Sequence, residues 1–444
     1  MASPSTSQST PHFPTPEERR ELGRARRKQM ARQDHAQWKP EARRRKPLAL
    51  MNESMRGRVP ALVALKWERM IESPFGYFRG AVPVMAADLA TLANTGIVNQ
   101  ICGDAHVRNL GAFAAPDGRL VFDINDFDET IRGPFEWDLK RLSTSLVLAG
   151  RALGIKDSFC GDAVQRMVAR YRKFVDMFSQ MPVTDIARYQ VHRLQRIAPV
   201  GKALLKAERS TPLHTLEQLT AEGKDGRRFK EEKPLLTPVN PATRRAVLAS
   251  LVEYTTTLQP ERRHFLAQYH AIDVAFKVVG TGSVGLRDYV IYMEGNGPGD
   301  PLFLQIKEQP GSAYVGYVDS EGLELHAPKH EGQRVVNGQR AMQAQSDPFL
   351  GWTTIDSRHY EVRQLNDHKA SIVIEDLEGD GLGEYAEMCG ELLARGHARS
   401  GDACVLAGYV GNGKRLSEAL AAFAHAYADQ TVADWEELRA ARKA

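Results

Sequence analysis

The segment from Gly103 to Asp138 constrains this chain more than any other. It opens on Gly103-Asp104-Ala105-His106-Val107-Arg108-Asn109, turns at Pro116-Asp117-Gly118, and returns through Asp123-Ile124-Asn125-Asp126-Phe127-Asp128 to Trp137-Asp138. Short apolar runs on either side of a Pro-Asp-Gly turn predict a hairpin with strands at 112–114 and 120–122. A hairpin brings its ends together, so Asp126 returns towards Asn109, while Asp104 lies five residues before Asn109 on a loop. Three oxygen-donor side chains then converge. Phosphoryl transfer needs such a set: one carboxylate to take the proton of an incoming hydroxyl, and an amide and a second carboxylate to hold magnesium against phosphates. Asp104 fits the first role, Asn109 and Asp126 the second. His106 is expected to pack or hydrogen-bond within the loop. Asp123 ends an apolar strand and is expected to support the centre from behind. Asp138 is expected to start or brace a helix over 139–153, where Leu139, Leu142, Leu146 and Leu153 form an apolar stripe.

The run Gly-Asp-x-His-x-x-Asn, followed by a hairpin and a second Asp, resembles the catalytic centre of the aminoglycoside phosphotransferase and choline kinase branch of the protein-kinase-like superfamily. The interval from Asp126 to Asp138 is similar to that branch's spacing between its metal Asp and a later structural Asp. The resemblance implies Asp104 as catalytic base, Asn109 and Asp126 as metal ligands, and ATP with Mg2+ as nucleotide and cofactor. A wider likeness, over about 19–434, is to a bacterial family of unknown function. It rests on Arg69 to Phe75, Phe78-Arg79-Gly80, Asn125 to Glu129 and Trp137 to Leu142.

The later half carries a second candidate segment. Strand-like 273–279 runs into Gly280-Thr281-Gly282-Ser283-Val284-Gly285, and strand-like 289–293 and 302–307 follow. A dinucleotide fold would put such glycines between a strand and a helix, with an acid about twenty residues on. Here they lie between two strands, and a Lys follows inside a third, which suits a phosphate-covering flap with an amine aimed at the phosphates. Gly280, Gly282, Ser283 and Gly285 would bring backbone N–H groups to the oxygens, Lys307 would add the charge, and Arg287 is a further candidate. A helix over 331–345 is expected to supply the acid that pairs with Lys307. Glu331 is the candidate, with Glu324 or a Gln as substitutes. Strand-like 360–365 would be the connector against which a purine packs, and helices are expected at 384–395 and 416–427.

Composition limits the alternatives. Net charge is only +4 with 26% charged residues, so the whole chain does not read as a nucleic-acid binder. The four cysteines form no C-x-x-C pair, which suits a reducing, cytoplasmic setting and argues against zinc. No apolar run is long enough for a bilayer, and the first residues carry no secretion segment. Residues 1–16 are expected to be disordered and 50–72 to be helical. Residues 17–46 hold twelve Lys or Arg against five Asp or Glu and read as a solvated basic helix or arm. Arg79-Gly80 is a candidate for phosphate or for a structural salt bridge. A polar hairpin near Gly223 to Gly226 is expected to belong to a substrate-side insertion, and 436–444 to fray.

The expected fold is α+β: a protein-kinase-like pair of lobes, one a small antiparallel sheet and the other larger and helical. The order is reversed relative to ordinary kinases, since the acidic centre at 104–126 precedes the glycine flap at 280–307. A circular permutation accounts for this. It divides the chain into a basic extension (1–50), the first part of the helical lobe with its catalytic and metal loops (51–270), a nucleotide-binding β lobe (271–366) and the remaining helices (367–444). The functional expectation is a kinase-like phosphotransferase acting on a hydroxyl of an unidentified, small-molecule acceptor. AMP transfer from the same cradle and a non-catalytic nucleotide-binding regulator are the alternatives. A two-metal phosphoesterase is disfavoured, because no further His and Asn ligands follow Asp126.

Overall fold

The fold is described by a computed structural model over residues 14–191, 197–224, 226–280, 282–318, 328–365, 369–377 and 379–443. Of the positions singled out above, Asp225, Thr281 and Glu324 lie outside the described residues, as do 1–13.

The protein is a mixed α+β chain, and its sheets are antiparallel. The largest has six strands, in the spatial order Gly351–Ile355, Arg358–Gln364, Pro301–Glu308, Asp288–Glu294, His270–Lys277 and Leu236–Pro238. The strands expected at 273–279, 289–293, 302–307 and 360–365 all fall within it. Successive side chains on a strand point to opposite faces. On one face Ile291, Leu304, Ile306 and Val362 pack against Val247 and Tyr254 of the Pro241–Thr257 helix. On the other, Val290, Tyr292 and Phe303 meet Leu216, Phe229 and Leu236. The segment around Gly223, expected on the substrate side, therefore covers the sheet through Phe229, which ends the Gly226–Phe229 strand. Lys307 follows Phe303 by four residues and so shares this second face, at its edge.

The acidic segment forms the expected hairpin. Leu110–Ala114 pairs with Leu120–Ile124, with Leu110 opposite Ile124, and Ala370–Ser371 adds a third strand. The helix that follows, Glu136–Ala152, is buried at every residue from Glu136 to Gly150. It is apolar on one stripe only, and the Lys140 and Arg141 inside it are buried as well. Around it stand the helices Asp157–Phe178, Gly381–Ser400 and Lys414–Lys443.

Three expectations are corrected. The helix expected over 50–72 is two, Pro47–Ser54 and Pro60–Ile71. The break falls at Gly57, whose φ of +78° a residue with a side chain rarely adopts, and Pro60 starts the second helix where its missing N–H costs nothing. The final helix does not fray after 436. It continues to Lys443, with Leu438 buried, the Trp435 indole donating to Ile71 O (3.0 Å) and the Arg442 guanidinium 4.0 Å from the Trp67 ring centroid. The basic arm is the largely exposed helix expected, but it is anchored rather than loose. Pro16–Gln29 packs on Ala403–Val410, where Gly23 lies so close to the facing backbone that a Cβ would meet Val405 O at 2.0 Å. Arg43 bridges two buried carboxylates, Asp88 (2.7 Å) and Asp434 (2.6 Å). No helix among the described residues is long and apolar enough to cross a membrane.

Candidate functional site

Local structure first fixes the loop before the hairpin. Gly103 has φ +79°, and a Cβ there would meet Glu129 O at 2.3 Å, so the turn needs glycine. Asp138, at the start of the buried helix, accepts from the Cys102 and Gly103 N–H groups (2.8 and 2.9 Å). The expected bracing residue thus braces the loop more than the helix. Asn109 donates through Nδ2 to Asp104 O (2.8 Å), and Asn125 N donates to Asn109 O (2.9 Å), so the loop and the end of the hairpin are tied at Asn109. That bond leaves the Asn109 Oδ1 as the atom to meet a cation. His106 is buried and edge-on to Phe75, and burial holds its imidazole neutral, as a packing residue should be. Asp123 is held by Arg395 of the Gly381–Ser400 helix.

Asp104 is held from behind. The Arg141 guanidinium, fully buried, donates to its Oδ1 at 2.5 Å and to Phe78 O at 3.1 Å, and lies over the Phe78 ring. The Asp104 side chain keeps 16% exposure. Burial pushes its carboxyl above the usual range. The Asp126 charge adds to the rise, and Arg141 opposes both.

Asp104, Asn109 and Asp126 line one cavity of about 590 Å3 together with Gly280, Gly282 and Ser283. More than 150 residues separate the two groups in sequence, and the fold brings them to one wall. The glycine segment is held from two sides. Lys66 donates to Gly282 O (2.6 Å), Arg58 to Val284 O (2.6 Å) and Val59 N to Gly285 O (2.7 Å), while Arg69 donates to Gly280 O. From the other side, Ser283 donates its hydroxyl to Asp128 (3.0 Å). Gly280 and Gly285 have φ of +60° and +88°, which supplies the physical reason for glycine at both.

Lys307 does not pair with Glu331. Its ammonium sits between both oxygens of Asp128 (2.7 and 2.5 Å) and is itself only 3% exposed. Gln309 also donates to Asp128 (2.9 Å). Burial pushes the Asp128 carboxyl up, but the Lys307 charge together with the Lys307 and Gln309 hydrogen bonds outweighs it and holds the group well below the ordinary range. Asp128 and Asp126 in turn raise Lys307, against the effect of its burial. Glu331 lies at the first position of the Glu331–Met342 helix and meets Arg334 three residues on. Arg334 then donates to the backbone oxygens of Asp128 (2.9 Å) and Thr130 (2.6 Å), so Glu331 reaches the site only through that relay. Arg287 is also away from the cavity wall, bonded to Glu308 (3.2 Å) and Gly57 O (3.1 Å).

Neither Asp128 nor Arg141 carries a role in the expectations above. The sequence signal for Asp128 is a second carboxylate two residues after Asp126; Arg141 lies off the leucine stripe, beside Asp138, Thr144 and Ser145, and only its burial marks it. No group of three or more His, Cys, Asp or Glu side chains spaced to hold a metal occurs among the described residues. Any cation here would therefore rest on Asp126 and the Asn109 amide, with other oxygens supplied by ligand or water.

The sequence profile of a family described as "uncharacterized protein conserved in bacteria (DUF2252)" matches residues 58–441. No curated protein and no solved structure matches the chain significantly.

Proposed function

The chain belongs to that bacterial family, DUF2252, and we propose that it is an ATP- and magnesium-dependent phosphotransferase acting on a hydroxyl. One observation carries the reading: Asp104, Asn109 and Asp126 share a cavity wall with a glycine segment from far along the chain. That segment lies between the first two strands of a run whose third strand bears Lys307, the arrangement in which kinases cover and neutralise phosphates. The same arrangement favours a kinase-like two-lobe fold, and the early place of the acidic centre favours a circularly permuted one.

In this reading Asp104 receives the proton of the acceptor hydroxyl. The hydroxyl oxygen bonds to the γ-phosphorus of ATP, the bond from that phosphorus to the β,γ-bridging oxygen breaks, and ADP leaves; Asp104 then returns the proton to solvent. A carboxyl raised by burial is a better base than an ordinary aspartate, and Arg141 fixes its direction. The donor chemistry fits magnesium. Asn109 Oδ1 and the Asp126 carboxylate are hard oxygens on one wall, and a magnesium ion there would neutralise phosphate charge. Gly280, Gly282 and Ser283 line the cavity as the covering flap; Lys307 lies outside the lining and supports the flap indirectly, by holding the Asp128 to which Ser283 donates.

The test is incubation of the intact chain with magnesium and ATP labelled at the γ- or α-phosphorus, with a hydroxyl acceptor pool. Transfer of the γ label, lost in Asp104→Asn while ATP still binds calorimetrically, is the expected result. Transfer of the α label would identify AMP transfer instead. ATP binding with no transfer of either label would leave a nucleotide-binding regulator.

A further inference from the structure

The cavity has a second wall that the acidic centre does not explain. Arg58 precedes the Pro60–Ile71 helix, Lys66 lies on it, Arg79 lies on Pro74–Gly80, and Arg56 stands exposed nearby. Lys307 is not part of the lining, whereas Asp104 is.

Several other buried or half-buried cations are held by carboxylates, Arg43 by Asp88 and Asp434, Arg141 by Asp104, Arg395 by Asp123 and Lys307 by Asp128, whereas the buried Lys140 lies over the Phe423 ring. Among the described residues, neither Arg58 nor Arg79 has a carboxylate within ion-pair distance. Arg58 donates only to backbone oxygens, Ser54 O (2.8 Å) and Val284 O (2.6 Å). The Arg79 Nε is buried with no hydrogen-bond partner. Burial pushes both guanidinium groups down to about 10; Arg108 adds to the fall at Arg79, while the charges of Asp104 and Asp126 at Arg79 and of Glu129, Glu308 and Asp128 at Arg58 oppose it without reaching ion-pair distance. A desolvated cation whose nearest carboxylates stand beyond ion-pair distance is costly to keep. Its place on a cavity wall points to an anion that arrives with the ligand. Planar guanidinium groups suit a phosphate or carboxylate, which they bind by paired N–H donors. Arg79 also lies near enough to Asp104 to pull its carboxyl down, so the anion would sit close to the reacting hydroxyl.

We propose, resting on the phosphotransferase reading above, that the acceptor is itself anionic: a small hydroxyl compound bearing a phosphate or carboxylate that Arg79 and Arg58 hold beside Asp104. The competing source of an anion at these groups is the γ-phosphate of the nucleotide, and the test separates the two.

The intact chain is assayed with magnesium and γ-labelled ATP against matched acceptors: glycerol 3-phosphate against glycerol, gluconate against glucose, and choline as a cation. At least one anionic member is expected to exceed its neutral counterpart tenfold or more in kcat/KM, with choline inert. Arg79→Gln should raise the KM for that acceptor at least tenfold and leave the KM for ATP within twofold, and Arg79→Lys should recover part of the loss. Arg56→Gln, exposed and outside the core, should raise the acceptor KM by a smaller factor. Equal use of neutral and anionic acceptors overturns the proposal, and so does a rise in ATP KM with the acceptor KM unmoved. If no acceptor takes label, glycerol 3-phosphate and gluconate are titrated calorimetrically without nucleotide. Binding of either by the wild type that Arg79→Gln abolishes upholds the anion subsite while the transfer reading fails. No binding of either by the wild type overturns the subsite as well.

Discussion

Two buried carboxylate–cation pairs stand at the edge of the same cavity, and they are shifted in opposite directions. Asp104 faces Arg141 through one oxygen, has the other 3.7 Å from the His106 ring nitrogen, lines the cavity, and is raised above an ordinary aspartate. Asp128 is met on both oxygens by Lys307, takes further bonds from Gln309 and Ser283, and is held far below. The number of donors decides the outcome. A carboxylate with one donor and a desolvated second oxygen stays ready to accept a proton, whereas one saturated with donors becomes a fixed charge that joins two distant parts of the chain. One pair suits chemistry and the other suits architecture.

Breaking each pair should therefore be read by a different instrument. The largest effect is expected from Asp104→Asn, which should lower kcat roughly a thousand- to ten-thousandfold with ATP affinity unchanged, measured by steady-state transfer and calorimetry. Lys307→Met leaves Asp128 buried and uncompensated, and should cost about 3–5 kcal/mol of unfolding free energy in denaturant titration. The two pairs also differ in pH. Asp104 must be ionised to accept a proton, so transfer should fall as pH drops through a midpoint above the ordinary 3.8, read from the acid limb of kcat. The Asp128 carboxyl is depressed, so its stabilisation is complete above the unfolded carboxylate range and is lost only as pH falls below it. The Lys307 ammonium is raised, so its contribution is complete below the unfolded lysine range and is lost as pH rises beyond it. The stability difference between wild type and Lys307→Met should accordingly be flat from about pH 5 to pH 9. The smallest effect is expected from Glu331→Gln. Its partner Arg334 keeps three backbone acceptors, so the cost should stay within about 1 kcal/mol by denaturant titration, with Lys307 undisturbed. A large loss there would restore Glu331 to the role that sequence spacing suggested.

The acidic hairpin was legible because its signals are local. A Pro-Asp-Gly turn, flanking apolar runs and a five-residue interval act within about thirty positions, where chain geometry leaves few choices. Four strands of the six-stranded sheet were legible for the same reason, as short apolar runs between turn residues, whereas the edge strands Gly351–Ile355 and Leu236–Pro238 were not. The partner of Lys307 was not, because it depends on which loop tertiary packing delivers to the lysine. Asp128 is 179 positions away, and nothing in the spacing of Lys307 and Glu331 separates the two outcomes. The cationic wall was harder still. Arg58 and Arg79 stand on separate elements, and each alone reads as a surface charge; only their partial burial with no carboxylate in ion-pair distance among the described residues marks them. Fraying at 436–444 was inferred from charge, but Arg442 lies on Trp67 through its guanidinium, and a charged terminus with aromatic neighbours is an anchored one.

Arg43 lies outside the matched block of 58–441, yet it is the cation between Asp88 and Asp434, both inside that block and both less than 6% exposed. A protein trimmed to the block would set two negative groups close together in a dry interior, with the Tyr427 hydroxyl to answer one and the Gln430 amide the other, but no positive charge between them. Domain borders drawn from similarity alone would thus cut away the counter-ion that lets the remainder close.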